Sequence, residues 1–232
     1  MYLVNKPVGI TPLQAIRLLR QQKRDLPESL TYAGRLDPLA SGVLPIVNGK
    51  NAEEKARVML LPKTYVAEIL IGVLTDTGDI LGVVQEVVEM DEIGSDDAKK
   101  LARRLEGEFD LPVPRYSSVG LSSNVELGEK LMKIKQAKFL ETKSVQLVDV
   151  LEKLEGVYKT LEGDFREKLI MNSWKKVGEE NMWQVLVMEF EVESGTYIRS
   201  VAGKLGEILG TPTCLFGLKR TRVGQYGFVD CL

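Results

Sequence analysis

Histidine is absent from all 232 residues. That removes Ser-His-Asp and Cys-His mechanisms, histidine-ligated zinc and an imidazole general base. Cysteine is nearly absent too: Cys214 and Cys231 sit near the C-terminus without metal-ligand spacing. In a cytoplasmic chain they are expected to be reduced and structural. Neither a Gly-Lys-Ser/Thr phosphate loop nor a Rossmann fingerprint is present, because Gly49-Lys50-Asn51 lacks both the hydroxyl and the upstream glycine. No apolar run approaches a membrane span, and the first residues lack the basic region of a signal peptide. Asn-X-Ser/Thr acceptors are missing as well, so the expected address is the cytoplasm. Positive charge is not in excess: the net charge is −2 and the pI about 5.5. A polyanion partner must therefore be met by a local basic face. The chemistry left to this chain belongs to carboxylates, tyrosines, arginines and lysines.

What is present begins with the stretch Tyr32-Ala-Gly-Arg-Leu-Asp37-Pro-Leu-Ala-Ser-Gly42-Val-Leu-Pro45. Two glycines and two prolines restrict the backbone around a single acid, as sites needing close approach do. An Asp-Pro turn leading into a buried strand is the plain alternative. Hydrophobic content of 44% is enough for a real core, and the length fits one large domain or a domain with an insertion.

Along the chain, residues 2–4 read as a short strand. Thr11 then caps a helix with Pro12 at its first position. That helix is expected to reach Arg24, burying Ala15, Leu18 and Leu19 and setting Arg17, Arg20 and Arg24 in a row. Asn51 caps a short helix with Ala52, Ala56, Met59 and Leu60 as its apolar face. Residues 63–74 and 80–88 are expected to pair as a hairpin around the turn Thr75-Asp-Thr-Gly-Asp79. Asp76 and Asp79 read as turn caps rather than chemistry. Ser95 caps a further helix, residues 111–121 are extended, and residues 126–136 are expected to be helical. Lys130, Lys133, Lys135 and Lys138 make this the densest basic segment. Residues 143–154 read as a strand with a helical end, and residues 156–181 give no clear pattern. Residues 183–193 alternate as a half-buried strand. A helix follows with Ile198, Val201, Ala202, Leu205, Ile208 and Leu209 inward, stopped by Gly210. Arg199 falls in its first turn, where a cation is disfavoured unless a carboxylate is fixed beside it. A last strand spans residues 214–223. Irregularly mixed strands and helices argue an α+β fold.

An ordered set of blocks resembles the pseudouridine synthases of the TruB type. They are Lys6-Pro-x-Gly-x-Thr11, Gly34-Arg-Leu-Asp37-Pro-Leu-Ala-Ser-Gly42-Val-Leu-Pro45 and Lys63-Thr-Tyr65, followed by Thr75-Asp-Thr-Gly-Asp79, Gly195-Thr-Tyr-Ile-Arg199 and Leu218-Lys-Arg220. The resemblance implies an α+β fold on a mixed, largely antiparallel sheet flanked by helices, with a catalytic cleft across it. It implies isomerisation of a uridine in RNA, most readily in the T-loop of tRNA, with no cofactor and no metal. By the same resemblance Asp37 is the nucleophile, with attack at ribose C1′, addition at uracil C6 and removal of a ribose proton all open. Tyr65 packs on the uracil and serves as base or relay at C5. Arg199 pairs with Asp37 and aims it, and Tyr197 and Leu218 line the pocket. Lys6 and Tyr32 join the substrate-binding set, and Arg17, Arg20, Lys130 and Lys133 grip the RNA backbone. Breaking a glycosidic bond and rejoining the base through carbon needs a nucleophile and a proton acceptor, neither of which requires histidine.

Three departures from the family pattern stand out. Tyr32 replaces a histidine, Arg35 replaces a small residue, and the expectation is a catalytic domain without the usual C-terminal RNA-binding module. The expected organisation is one catalytic domain over residues 1–232 with an RNA-gripping insertion near residues 111–143, working as a monomer. Action on ribosomal or another RNA, or RNA folding with dispensable catalysis, are the alternatives.

Overall fold

The computed structural model describes residues 1–114, 128–178 and 180–231. A nine-stranded sheet organises them. Its backbone order is β1 (Tyr2–Lys6), β3 (Ala40–Asn48), β10 (Thr213–Val223), β4 (Lys63–Ile71), β9 (Met182–Val192), β8 (Glu129–Gln146) and β7 (Gly107–Pro112). Two short strands attach at the sides: β2 (Leu30–Tyr32) on β3 and β11 (Tyr226–Gly227) on β10. Every pairing is antiparallel except β3 with β10. That one parallel seam joins an early strand to a late one and lies directly behind Asp37. It requires Gly42, whose φ is +105° and where a Cβ would stand 2.1 Å from the Arg220 carbonyl oxygen. The fold is thus α+β on a mixed, largely antiparallel sheet.

Helix α1 (Pro12–Gln22) forms as its sequence dictates, with a reciprocal capping box between Thr11 and Gln14 and proline in the first turn. It buries Ala15, Ile16 and Leu19. Leu18, expected inside, is exposed because the turn is set by Ile16 instead, and the helix stops before Arg24. In α2 (Ala52–Leu60) only Val58 is buried. It fills a small satellite core with Ala33, Val43, Val47 and Val223, and this core has no room for the expected face of Ala52, Ala56, Met59 and Leu60. Helix α3 (Ser95–Arg104) starts at Ser95 but is preceded by Gly94 in the cap position, with no side-chain cap.

The hairpin expected across residues 63–88 is much smaller. Gly72, at φ +91°, breaks the run, so β4 pairs with β9 and β10. Only β5 (Val73–Thr75) and β6 (Val84–Val87) pair around the turn. The helix expected over residues 126–136 is overturned for its described part, because residues 129–136 belong to β8. Buried Met132 and Ile134 alternate with exposed lysines there, and pairing with β7 and β9 decides the conformation. Residues 115–127, which include part of the extended stretch and of the expected insertion, lie outside the described residues. The stretch that gave no pattern holds the end of α4 (Leu147–Tyr158) and α5 (Glu167–Lys175). Trp174 of α5 is fully buried, donates its indole N–H to the Ile80 carbonyl at 3.0 Å and meets Trp183 edge to face. Helix α6 (Ile198–Leu209) forms where expected, with Gly210 left-handed at its end, though Ile208 and Leu209 are only half-buried. The expected strand β9 forms too, but Val185, Leu186, Val187 and Met188 are all buried because its middle is covered on both faces. The expected alternation therefore holds only toward its C-terminal end. Among the described residues no helix is long and apolar enough to cross a membrane.

Candidate active site

Asp37 sits in the loop between β2 and β3, and its backbone is pinned from several directions. The Asp37 carbonyl accepts from the Ala40 N–H at 3.0 Å, and the Pro38 carbonyl from the Gly9 N–H at 2.9 Å. Beneath the loop lies Arg220 of β10, 1% exposed. Its guanidinium donates to the carbonyls of Val43 at 2.8 Å, Gly34 at 3.1 Å and Arg35 at 3.3 Å. A buried guanidinium is costly unless its donors are met, and here the Asp37 loop and the start of β3 meet them. The carboxylate itself remains about a third exposed, facing a cleft.

Arg199 answers the question posed by its place at a helix N-terminus. Its side chain is 7% exposed, and it reaches Asp37 Oδ2 at 3.0 Å, the Thr77 carbonyl at 2.9 Å and Asp79 Oδ2 at 3.8 Å. Asp79 is buried and is both a cap and a partner. Its Oδ1 accepts from the Thr77 hydroxyl at 2.8 Å and the Leu81 N–H at 3.0 Å. Burial pushes the Asp79 carboxyl up to about 6; the Arg199 charge opposes this and the Asp37 charge adds to it. Arg35 stands on the other side of the acid, its Nε 3.9 Å from Asp37 Oδ1.

The cleft in front of Asp37 encloses about 510 Å³. Tyr65 of β4, largely buried and in register with Arg220, lines it together with Tyr197, Leu218 and Lys130. Lys63 closes one side, held by the Met59 carbonyl and the Ser194 hydroxyl, and burial brings its ammonium down to about 8, with Arg220 lowering it further and Glu193 opposing. A second compartment of about 270 Å³ lies beyond the acid, with Arg35, Asp37 and Arg199 forming the partition between the two.

Asp37, Tyr65, Tyr197, Arg199, Leu218 and Lys130 therefore converge. The rest of the expected set does not. Lys6 is fully buried and donates to the carbonyls of Pro7 and Ile10, holding their loop rather than meeting the cleft. Burial pulls its ammonium down to about 7; the charge of Asp37 opposes this and that of Arg220 adds to it. Tyr32 is half-buried on β2 and does not line the cleft. Arg17 pairs with Glu162, Arg20 donates to the carbonyls of Pro27 and Glu28, and Lys133 pairs with Glu108. Sequence reasoning missed Arg220 and Asp79. A signal existed for the first, since alternation along the strand puts Arg220 on the same face as Leu218.

An α+β fold on a mixed sheet, with an arginine-paired acid, Asp37, in a cleft lined by Tyr65, Tyr197 and several cations, defines the class. Solved structures share the fold. A chain in the "Structure of H/ACA RNP bound to a substrate RNA containing 2'-deoxyuridine" superposes with TM-score 0.59, at 19% identity, covering 97% of this chain and 48% of that one. One in the "Crystal Structure of a Cbf5-Nop10-Gar1 Complex" gives 0.57, at 23% identity, covering 97% and 49%. The model of the TruB family pseudouridylate synthase N-terminal domain matches residues 23–158, more than half of the chain. The chain belongs to the TruB family. The tRNA pseudouridine synthase B of Nitrosococcus oceani is 29% identical over all of this chain and 66% of its own length. That of Geobacillus thermodenitrificans is 30% identical over 99% and 68%. The chain thus spans about two thirds of these relatives and about half of the structural neighbours.

Proposed function

We propose that the protein isomerises a uridine of RNA to pseudouridine, in the T-loop of tRNA, acting in the cytoplasm as a monomer. The observation that carries the reading is the Asp37–Arg199 pair at 3.0 Å, set at the floor of a cleft walled by Tyr65. Relatives named tRNA pseudouridine synthase B support tRNA as the substrate.

In this reading the target nucleotide leaves its stack, at a cost of a few kcal/mol, and its uracil lies on the Tyr65 ring. Arg199 fixes Asp37 through Oδ2, which leaves Oδ1 toward the sugar and base. The C1′–N1 bond breaks, the base turns, and a C1′–C5 bond forms. The C5 proton leaves to a base at Tyr65 and a proton is returned to N1, so no atom is gained or lost. Asp37 acts at C1′, at C6 or on a ribose proton, and is regenerated. The positive charge of Lys63, Arg199 and Lys130 on the cleft lining suits a polyanion despite the acidic pI.

Incubation with unmodified tRNA, followed by mapping of pseudouridine, tests the proposal. Wild type should form product at one position. Asp37→Asn should abolish turnover while keeping RNA affinity within a few fold. No product with wild type, or full activity in Asp37→Ala, refutes it.

A further inference from the structure

Arg35 is a cation beside Asp37 with a buried donor that meets no hydrogen-bond acceptor among the described residues. Its backbone is fixed, because the Arg35 carbonyl accepts from Arg220. Its side chain is about a third exposed, yet its Nε is buried with no hydrogen-bond partner among the described residues. The nearest carboxylate oxygen, Asp37 Oδ1, is 3.9 Å away, beyond hydrogen-bond range. The neighbouring cations are engaged: Arg199 by Asp37 and Thr77, Arg220 by three carbonyls, Lys63 by Met59 and Ser194. A buried donor left unmade is costly, and a ligand that accepts from it removes that cost. Arg35 also stands on the partition between the two compartments, so a chain passing from one to the other must cross it.

Resting on the reading of the cleft as a uridine site, we propose that Arg35 is a positioning residue that grips a phosphodiester flanking the target nucleotide. A nucleotide whose sugar sits on Asp37 carries its phosphates one ribose-length away, within the swing of an arginine side chain anchored two residues before the acid. The planar guanidinium offers two parallel donors to a phosphate, which a lone Asp37 oxygen at 3.9 Å does not use. When the phosphate arrives, Arg35 turns away from Oδ1. The oxygen that Arg199 does not hold is then open toward the sugar. Arrival of the RNA backbone and exposure of the reacting oxygen become one event.

The test is a binding cycle in an Asp37→Asn background, which blocks turnover. A T-arm stem-loop carries a neutral methylphosphonate at the phosphate 5′ or 3′ of the target uridine, each in turn. With Arg35 present, one of the two substitutions should weaken binding about tenfold, the size of a lost charge-assisted contact. With Arg35→Gln added, the same RNA should lose less than about twofold, the coupling that a double-mutant cycle isolates. The slope of log affinity against log salt should fall by about 0.7–0.9 in the glutamine protein, and Arg35→Lys should restore it. Equal methylphosphonate penalties with and without Arg35, or no penalty at either phosphate in the Arg35 protein alone, overturn the proposal. Failure of the wild type to form pseudouridine is a separate result and bears on the reaction, not on this contact.

Discussion

Replacing Arg220 with methionine keeps a side chain of similar length in the sheet and removes every donor. Three carbonyls, of Gly34, Arg35 and Val43, then lose a partner in a place where Arg220 was 1% exposed. Each buried acceptor left unpaired costs about 1–3 kcal/mol, while deleting a buried charge returns part of its own desolvation cost. The net loss should be about 3–5 kcal/mol, a large share of the 5–15 kcal/mol typical of a whole domain. At about 2–4 °C per kcal/mol for a chain of this size, the melting midpoint should fall by about 6–20 °C. Turnover of the protein that remains folded should drop at least about a hundredfold, since a displacement near 1 Å at a reacting group costs that much. Urea unfolding and single-turnover pseudouridine formation read the two effects separately. Arg220→Lys, which reaches fewer carbonyls, should lie between. A methionine protein within about 1 kcal/mol of wild type and equally active would refute the bracing argument. One that is stable but inactive would mean that Arg220 serves the substrate rather than the loop.

Three further outcomes follow from the same geometry. Asp79 titrates near 6 in the fold against 3.8 in an unfolded chain, so the folded state keeps a proton that the unfolded state sheds between those values. Its contribution to stability is full below the lower value and is lost as pH rises through the upper one, about 3 kcal/mol in all, and Asp79→Asn should flatten urea midpoints across that window. Tyr65→Phe should lower the chemical rate by about 10²–10⁴ with RNA affinity nearly kept, whereas Tyr65→Ala should also lose about 1–3 kcal/mol of stacking in a gel-shift assay. Gly42→Ala, facing a backbone oxygen at 2.1 Å and φ +105°, should destabilise by more than about 2 kcal/mol in thermal melts.

Where local signals decide, the elements were legible. Capping at Thr11, the stripe from Ile198 to Leu205 and the alternation at the C-terminal end of β9 each carry their own conformation. Strand β8 was not legible, because its register shifts near Ile134 and Phe139 interrupt the alternation and its lysines mimic a helical face. Its neighbours, distant in sequence, impose the strand. The face of α2 misled because Met59 and Leu60 are apolar yet exposed, with Val58 sufficing for the small core beneath. At the site, the resemblance named Asp37, Tyr65, Tyr197, Arg199 and Leu218, and these side chains meet around one cleft. It said less about what stands behind them. An acid in a turn looks the same whether it caps the turn or also faces an arginine, so Asp79 was read as a cap alone. Arg220 and Lys6 hold backbone carbonyls; strand alternation could place Arg220 on the inward face, but it does not say what a buried cation there would hold.

The parallel seam between β3 and β10 also sets a timetable. Residues 33–42 leave the ribosome early, but the strand that backs them, and the arginine that holds them, arrive some 180 residues later, Val43 to Arg220 being 177 apart. Loops that long close slowly, and their closing strand is made last. Asp37 therefore gains its floor only when two strands far apart in sequence have met.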